Sequence, residues 1–134
     1  MTVFDTNFLV DLLNDEPGIS YIADSYKNPK TTTINAFELF YGVWRSSKPK
    51  ENIIEIKSLL KSLSILDVDL AAAQKAAEIH AGLKNSGSSL ELEDVLIAGI
   101  VITNNEELVT NNIKHFKRIP GLKCSSWQPG DYGR

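Results

Sequence analysis

The sequence predicts an α/β protein, a three-layer α/β/α sandwich around a central, mostly parallel sheet. Short apolar or β-branched runs alternate with longer segments whose apolar residues recur at helical spacing. Strands that alternate with helices favour a parallel sheet covered by helices on both faces. The length of 134 residues and the hydrophobic content of 43% predict a single domain, residues 1–134, that can bury a core.

The first half of the chain contains two predicted strands. Thr2–Asp5 begins with an apolar pair, and Thr31–Ile34 is β-branched and follows an Asn-Pro turn. Pro17 suits the first turn of a helix, and Leu9 shares an apolar face with Leu12 and Leu13. The helices predicted here span Asn7–Asn14, Pro17 to about Lys27, Asn35–Ser47 and Glu51–Ser62.

The second half continues the alternation. Leu70–Asn85 is an Ala-rich helix closed by Ser86-Gly87, and a second long helix runs from Leu90 to about Thr103. Ile113–Phe116 is predicted as one turn of helix. The strands predicted here are Ile65–Val68, Leu108–Thr110 and Leu122–Cys124.

Composition and charge indicate which ligands and which cellular compartment to expect for the protein. The net charge of −3, from 14 Lys and Arg against 17 Asp and Glu, does not indicate a nucleic-acid-binding protein, although clustered carboxylates that bind cations could change the local sign. The single cysteine, Cys124, allows no internal disulfide, which suits a reducing compartment. Neither a signal peptide nor a membrane span is evident in the sequence, so we expect a cytoplasmic protein.

Three carboxylates stand in apolar surroundings. Asp5 is the only charged side chain in the first ten residues, and Glu38 is the only charge in "TTTINAFELFYGVW". Asp94 lies on the apolar stripe of its predicted helix, because the residues three, four and seven positions later are Ile, Ala and Val. An ionised carboxylate removed from water is costly unless it is paired or binds a metal.

Structural roles for these acids remain open at this point. Asn35 could cap its helix, with Glu38 reaching back to it in a capping box, and Ser88 with Glu91 could form another. Asp94 could be a first-turn acid favoured by the helix dipole. The polar residues of "LVTNN", which end with Thr110, Asn111 and Asn112, could form an ordinary turn.

Taken together, these features predict a metal site. Ligands of parallel α/β sheets collect at the carboxyl ends of the strands, where Asp5 and the Thr110–Asn112 segment fall. Acids brought together would take up protons unless a cation joins them. Oxygen ligands without clustered Cys or His suit Mg²⁺ or Mn²⁺, which can lower the pKa of a bound water and polarise a phosphoryl oxygen.

These residues, in this order, resemble the PIN-domain family of metal-dependent ribonucleases, and most closely its VapC-type toxins. "DTN" at Asp5–Asn7 is similar to the opening motif of the family, and "NAFELFYGV" to the helix that carries its second acid, at Glu38. "EDVLIAGI" resembles the segment of the third acid, at Asp94. "LVTNNIKHFKRIPGL" resembles the closing segment, so that the likeness covers nearly the whole chain.

The resemblance implies an endoribonuclease that uses Mg²⁺ or Mn²⁺, held by Asp5, Glu38 and Asp94, to hydrolyse RNA phosphodiester bonds with an activated water. It implies that the Thr6 hydroxyl supports the metal or its water, with Thr110 in a similar supporting position. It further implies a homodimer that is inhibited by a VapB-like antitoxin, whose C-terminal segment lies across the active-site groove.

The chain departs from the family at Asn112, where many members carry a fourth acid. Asn can offer a carbonyl oxygen or orient a water, but it brings no negative charge. A second tightly bound metal is therefore in doubt. Glu91, one turn before Asp94, is a possible compensating carboxylate.

Other residues are candidates for contacts with RNA and partners. The basic run "KHFKR" follows Asn112, and its side chains Lys114, His115, Lys117 and Arg118 are predicted to bind RNA phosphates. Arg45, Lys48 and Lys50 form a second basic patch. The aromatic residues of the Glu38 helix exceed what one stripe can bury, which predicts an antitoxin or dimer contact there; they are Phe37, Phe40, Tyr41 and Trp44.

Two other classes of function compete with this interpretation. A phosphatase that forms an aspartyl-phosphate on Asp5 usually needs a second Asp two residues later, where this chain has Asn7. A receiver domain needs an acid pair at the end of strand one and a further Asp at strand three, and neither is evident in this sequence. The other alternative is a catalytically weak PIN fold that only binds a partner, which the amide at Asn112 keeps open. Metal-dependent cleavage of RNA separates these cases.

Overall fold

Parallel strands form the centre of the molecule. The structure is a computed structural model that describes residues 1–88 and 90–127. Within these residues five strands pair in the order β3-β2-β1-β4-β5, and every pairing is parallel. The strands are β1 (Thr2–Phe4), β2 (Lys30–Thr32), β3 (Ser64–Leu66), β4 (Glu107–Val109) and β5 (Cys124–Ser125).

Helices connect the strands and cover the sheet. They are α1 (Thr6–Leu13), α2 (Ile19–Asp24), α3 (Thr33–Trp44), α4 (Pro49–Lys61), α5 (Leu70–Asn85), α6 (Leu92–Thr103) and α7 (Ile113–Phe116). The predicted α/β sandwich with a parallel sheet is confirmed. None of the helices in the described residues is both long and apolar enough to cross a membrane.

The alternation of side chains along β1 creates the two halves of the core. Val3 packs into a cluster with residues of α5, α6 and α7. Phe4 points to the other face of the sheet, where it joins residues of α1, α3 and α4. Both side chains are buried, as expected for the central strand of a sheet with helices on both faces. This central position holds the carboxyl end of β1, and therefore Asp5, in the interior.

The helix pair α5 and α6 packs through a close contact at Gly99. A Cβ placed on Gly99 would lie 2.6 Å from the backbone oxygen of Ala72 and 3.0 Å from the Cβ of Ala76. The small residues Ala72 and Ala76 face Gly99, so the two backbones can approach each other closely. This contact sets the position of α6, which carries Asp94.

Neither of the two capping boxes that the sequence allows is formed. Helix α3 begins two residues before Asn35, because the Thr32 Oγ1 atom accepts a hydrogen bond from the Asn35 N–H (3.1 Å). Thr32 therefore ends β2 and caps α3 at once, and the β-branched Thr33 and Ile34 enter the helix instead of the strand. Glu91 occupies the N-cap position of α6 and no side chain donates or accepts a capping bond there.

Several predicted ends shift by a few residues, while α5 and α7 have the predicted bounds. Helix α2 is shorter than predicted because Gly18, with φ of 80°, is its left-handed N-cap. Strand β5 lies at Cys124–Ser125, one or two residues later than predicted, since Val109 pairs with Ser125.

A partly buried ion pair lies at the amino ends of the strands. The Nζ atom of Lys30, at the start of β2, lies 2.5 Å from Oε1 of Glu106, which precedes β4. The Lys30 side chain is 18% exposed and the Glu106 side chain 4%. The pair spans the strand between them, β1.

We expect Lys30→Met to lower the free energy of unfolding by about 2–4 kcal/mol, because it leaves the buried Glu106 carboxylate without its cation. The double variant Lys30→Met/Glu106→Leu should recover to within about 1 kcal/mol of the original protein, since paired charges are replaced by apolar contact. Urea unfolding monitored by circular dichroism measures both. A Lys30→Met variant of unchanged stability would show that the pair contributes nothing.

Candidate active site

One cleft collects polar side chains at the carboxyl end of the sheet. Its volume is about 330 Å³. The turn from β1 into α1 lies at this cleft, and α3 contributes Glu38 to it. Helix α6 begins beside the cleft, and the segment after β4 reaches it through Thr110 and Asn112. The cleft is lined by Asp5, Thr6, Asn7, Val10, Asp11, Glu38, Asp94 and Asn112. The four predicted catalytic residues, Asp5, Glu38, Asp94 and Asn112, are therefore brought together.

Asp5 lies at the base of the cleft and is held by hydrogen bonds to both carboxylate oxygens. Its Oδ1 atom accepts from the backbone N–H of Thr6 (2.9 Å) and from Nδ2 of Asn35 (3.0 Å). Its Oδ2 atom accepts from the Thr110 hydroxyl (2.5 Å). Asp5 is 5% exposed, so these bonds fix the carboxylate in the interior.

Burial and hydrogen bonding act in opposite directions on Asp5. Removal from water raises the pKa of this carboxyl above its ordinary value. The bonds from the Thr110 hydroxyl, the Thr6 N–H and the Asn35 amide favour the charged form and lower the pKa, yet burial prevails. The chain alone therefore does not stabilise the charge of Asp5 as well as water does.

Glu38 is tied to Asp5 through two intermediate side chains. The Thr6 hydroxyl donates to Oε1 of Glu38 (2.7 Å) and accepts from Nδ2 of Asn35 (3.0 Å). Burial also raises the pKa of Glu38, the Thr6 bond lowers it, and the charges of Asp5 and Asp94 raise it further. Thr6 is predicted to support the metal or its water. In this structure its hydroxyl group donates its hydrogen bond to Glu38, an acid of the cleft.

Asp94 stands in the first turn of α6 with no side-chain hydrogen bond to the residues that the structure describes. Burial and the nearby charge of Asp5 raise the pKa of this carboxyl, while His115 lowers it. The first turn is a favourable place for an acid because of the helix dipole. The dipole explains why an acid is tolerated here, but not why it faces two others.

Asn112 lies at the rim of the cleft. Its backbone N–H donates to the Thr110 hydroxyl (3.0 Å), and the same hydroxyl donates to Asp5. Its side chain is exposed and makes no capping bond to α7. Thr110, a predicted supporting residue, thus links the end of β4 to both Asp5 and Asn112.

Sequence reasoning missed the role of three residues at this site. Asn35, for which the sequence allows a helix-capping role, is fully buried and donates hydrogen bonds to both Asp5 and Thr6. Asn7 and Asp11 are one turn apart on α1 and both line the cleft. The spacing i, i+4 between Asn7 and Asp11 is a signal that could have found them.

The four residues predicted to bind RNA do not all lie beside the cleft. Lys114, His115, Lys117 and Arg118 are all exposed, and His115 is close enough to Asp94 to lower its pKa. Arg118 lines a different cavity of about 510 Å³, formed mainly by one face of α5. Glu91, proposed as a compensating carboxylate, is exposed and is not among the residues that line the cleft.

The aromatic residues of α3 are largely uncovered. Phe37 and Tyr41 are each 57% exposed and Trp44 is 65% exposed, while Phe40 is partly buried. The Phe37 and Tyr41 rings stack at a centroid distance of 6.1 Å, and the Arg45 guanidinium lies 5.5 Å from the Tyr41 centroid. This aromatic face is available to a partner, as the sequence predicts.

The donor set of the cleft fits a hard cation. Its polar atoms are carboxylate, hydroxyl and amide groups, which suit Mg²⁺ or Mn²⁺ better than zinc. Across residues 1–88 and 90–127, no three His, Cys, Asp or Glu side chains stand close enough to hold an ion as they are. Without a cation the carboxylates repel one another. A bound cation would attract each of them and draw them together.

Curated relatives match nearly the whole chain. It is 35% identical to ribonuclease VapC2 of Rickettsia felis over 135 residues, and 30% identical to the tRNA(fMet)-specific endonuclease VapC of Salmonella typhimurium over 130 residues. Both alignments cover 93% of this chain and 96% of the relative.

Solved structures agree with the fold. VapBC2 from Rickettsia felis, bound to a DNA fragment from its promoter, matches with a TM-score of 0.86 and 32% identity over 95% of this chain and 98% of that chain. DNA-bound VapBC from Salmonella typhimurium matches with a TM-score of 0.88 and 28% identity, at the same coverage. The family model described as PIN domain matches residues 2–122. The chain therefore belongs to the PIN domain family.

Proposed function

We propose that this protein is the toxin of a toxin–antitoxin pair, an endoribonuclease that hydrolyses RNA phosphodiester bonds with a divalent cation. The observation that carries the proposal is the convergence of Asp5, Glu38 and Asp94 on one cleft that contains no basic lining residue among those described. Its relatives named ribonuclease VapC support the same activity. Membership of the PIN family leaves the phosphatase and receiver-domain alternatives without support.

Asp5, Glu38 and Asp94 would hold Mg²⁺ or Mn²⁺, which supplies a bound water of lowered pKa and polarises the phosphoryl oxygen. The other residues prepare these ligands. Thr110 and Asn35 orient the two oxygens of Asp5, and Thr6 orients Glu38. Each of these side chains donates a hydrogen bond to a carboxylate. The bond favours the charged form of the carboxylate, which is the form that binds a cation.

Around the cleft, the chain offers groups for the substrate. His115 is near Asp94, so it can face a phosphate that enters the cleft. Lys114, the preceding residue of α7, is a candidate for a neighbouring phosphate of the same RNA. Asn112 can direct its amide to the substrate or to a water. Lys117 is a further phosphate contact on the same exposed turn, whereas Arg118 would act only on RNA that extends to the α5 side.

We also propose a VapB-like antitoxin as partner and a homodimer as the assembled form, both in the cytoplasm. Solved relatives are complexes of VapB with VapC. The exposed face of Phe37, Tyr41 and Trp44 gives this chain an apolar surface for one of these contacts. A lone cysteine and no possible internal disulfide fit a reducing compartment.

We expect Asp5→Asn to abolish metal-dependent RNA cleavage, because it removes the charge at the base of the cleft. The test incubates labelled RNA with the purified protein in Mn²⁺, in Mg²⁺ and in EDTA. Asp15→Asn is the matched control, since Asp15 is an exposed acid in the turn after α1 and Asn tolerates its φ of 50°. Circular dichroism checks that each variant is folded.

Cleavage that needs a metal, persists in Asp15→Asn and is lost in folded Asp5→Asn would support the proposal. Equal cleavage by the original protein and Asp5→Asn would identify a contaminating nuclease and overturn it. If the original protein cleaves no RNA in any metal, the protein is a PIN fold that only binds a partner, and the amide at Asn112 becomes the leading reason.

A further inference from the structure

Helix α1 presents a stripe of side chains to the cleft. Asn7, Val10 and Asp11 are spaced i, i+3 and i+4, so they share one face, and all three line the cleft that contains Asp5, Glu38 and Asp94. The opposite face of α1 carries Phe8 and Leu9 into the core. The packing of α1 therefore directs Asp11 toward the three other acids.

Nothing in the described part of the chain compensates the charge of Asp11. It forms no ion pair and no side-chain hydrogen bond within residues 1–88 and 90–127. It lies in the last turn of α1, where the helix dipole disfavours an anion, and that turn has no basic residue. It lines the same cleft as Asp5, Glu38 and Asp94, and no Lys, Arg or His is among the described lining residues.

A second observation comes from Asn7. Its Oδ1 atom is buried and has no hydrogen-bond partner among the described residues, although most buried polar atoms have one. The atom has almost no surface that water can reach, so a small rotation of the Asn7 side chain is needed before it can accept a hydrogen bond from a water in the cleft. Asn7 and Asp11 thus place two unused oxygen acceptors on the same side of the site.

We propose that Asp11 is a positioning residue for the cation, the fourth carboxylate of a cleft in which Asn112 brings no charge. It accepts hydrogen bonds from water ligands of the ion that Asp5, Glu38 and Asp94 hold, with Asn7 as its neighbour. The inference rests on the proposed function for the presence of the ion. It replaces Glu91, which is exposed, as the source of the compensating charge.

The experiment measures Mn²⁺ affinity from the electron paramagnetic resonance signal of free Mn²⁺, without RNA. We expect Asp11→Asn to weaken Mn²⁺ binding by roughly tenfold, the usual effect of losing a group that supports the ligands of a metal. The exposed acid Asp15 gives the matched control Asp15→Asn, which should bind as the original protein does. Asp5→Asn should bind far more weakly than either.

Thermal unfolding in EDTA separates a positioning role from a structural one. Asp11→Asn should melt at the same temperature as the original protein or higher, because it removes an unfavourable charge. A structural role predicts a lower melting temperature in EDTA together with unchanged Mn²⁺ affinity. The two readouts therefore move in opposite directions under the two explanations.

Equal Mn²⁺ affinity of Asp11→Asn and the original protein would overturn the inference about Asp11 alone. A loss as complete as that of Asp5→Asn would make Asp11 a direct ligand and overturn the role through water. If the original protein binds no Mn²⁺ that Asp5→Asn removes, both this inference and the proposed function fail.

Discussion

Asp94→Asn is expected to reduce RNA cleavage on the order of a thousandfold while the protein stays folded. The Asp94 carboxylate makes no hydrogen bond to the described residues, so the substitution removes charge and little contact. A bound cation contributes several kcal/mol to stabilising a phosphoryl transition state, and about 4 kcal/mol corresponds to a thousandfold in rate. Initial rates with labelled RNA in Mn²⁺, at protein in excess of RNA, measure the effect.

Glu93→Gln is the matched control for Asp94→Asn. Glu93 is the adjacent acid in the first turn of α6, but it does not line the cleft. We expect its cleavage rate to stay within about threefold of the original, because it changes the local charge without removing a ligand. Equal losses in the two variants would assign the effect to net charge and contradict a ligand role for Asp94.

Asp94→Asn should also change how the stability of the protein depends on pH. In the folded protein, burial and Asp5 raise the pKa of Asp94 above its ordinary value of 3.8. The folded state then holds its proton more tightly than the unfolded state, so the contribution of Asp94 to stability is greatest below pH 3.8 and is lost as pH rises through the raised pKa. In EDTA at pH 7, Asp94→Asn should therefore melt at a higher temperature than the original protein.

That difference in melting temperature should shrink as the pH is lowered through the raised pKa, and it should vanish well below pH 3.8, where Asp94 is protonated in both states. Saturating Mn²⁺ should reverse its sign, because an ion that binds only the folded state stabilises the original protein more than the variant. Differential scanning fluorimetry across pH, with and without Mn²⁺, records both effects. An Asp94→Asn variant that is less stable in EDTA at pH 7 would show that the carboxylate has a structural partner.

The parallel sheet and the acids of the cleft were predictable because each leaves a local signal. A charge in an apolar run is costly, so the isolated acids Asp5, Glu38 and Asp94 indicate a function for the charge. The carboxyl ends of parallel strands lie at the same side of the sheet, which predicts where such residues meet. The structure places these residues around one cleft. Their roles as ligands remain a proposal that the variants above test.

The supporting contacts were not predictable because they depend on distances between segments far apart in sequence. Asn35 has the pattern of a helix cap, and only the folded chain shows that Thr32 takes that role and frees the Asn35 side chain for Asp5 and Thr6. Asp11 resembles an ordinary surface acid until α1 is oriented. Arg118 is close to Asn112 in sequence, yet its turn directs it to the α5 side.

The contact between α5 and α6 gives a large expected effect on stability outside the cleft, comparable with that of Lys30→Met. We expect Gly99→Ala to lower the free energy of unfolding by about 2–4 kcal/mol, because the new Cβ would lie 2.6 Å from the Ala72 backbone oxygen and the helices must separate. Since α6 carries Asp94, Mn²⁺ affinity should fall as well, even at temperatures where the variant is folded. Urea unfolding and Mn²⁺ titration measure the two effects.

Gly82→Ala is the matched control, a glycine in the interior of α5 whose added Cβ would meet no atom within 4 Å. It should raise the free energy of unfolding by about 0.5–1 kcal/mol, because alanine loses less backbone entropy than glycine on forming a helix. Opposite signs at Gly99 and Gly82 would attribute the first effect to packing rather than to helix propensity. A Gly99→Ala variant as stable as Gly82→Ala would mean that α5 and α6 can move apart freely, and the position of Asp94 would then have to be set by another contact.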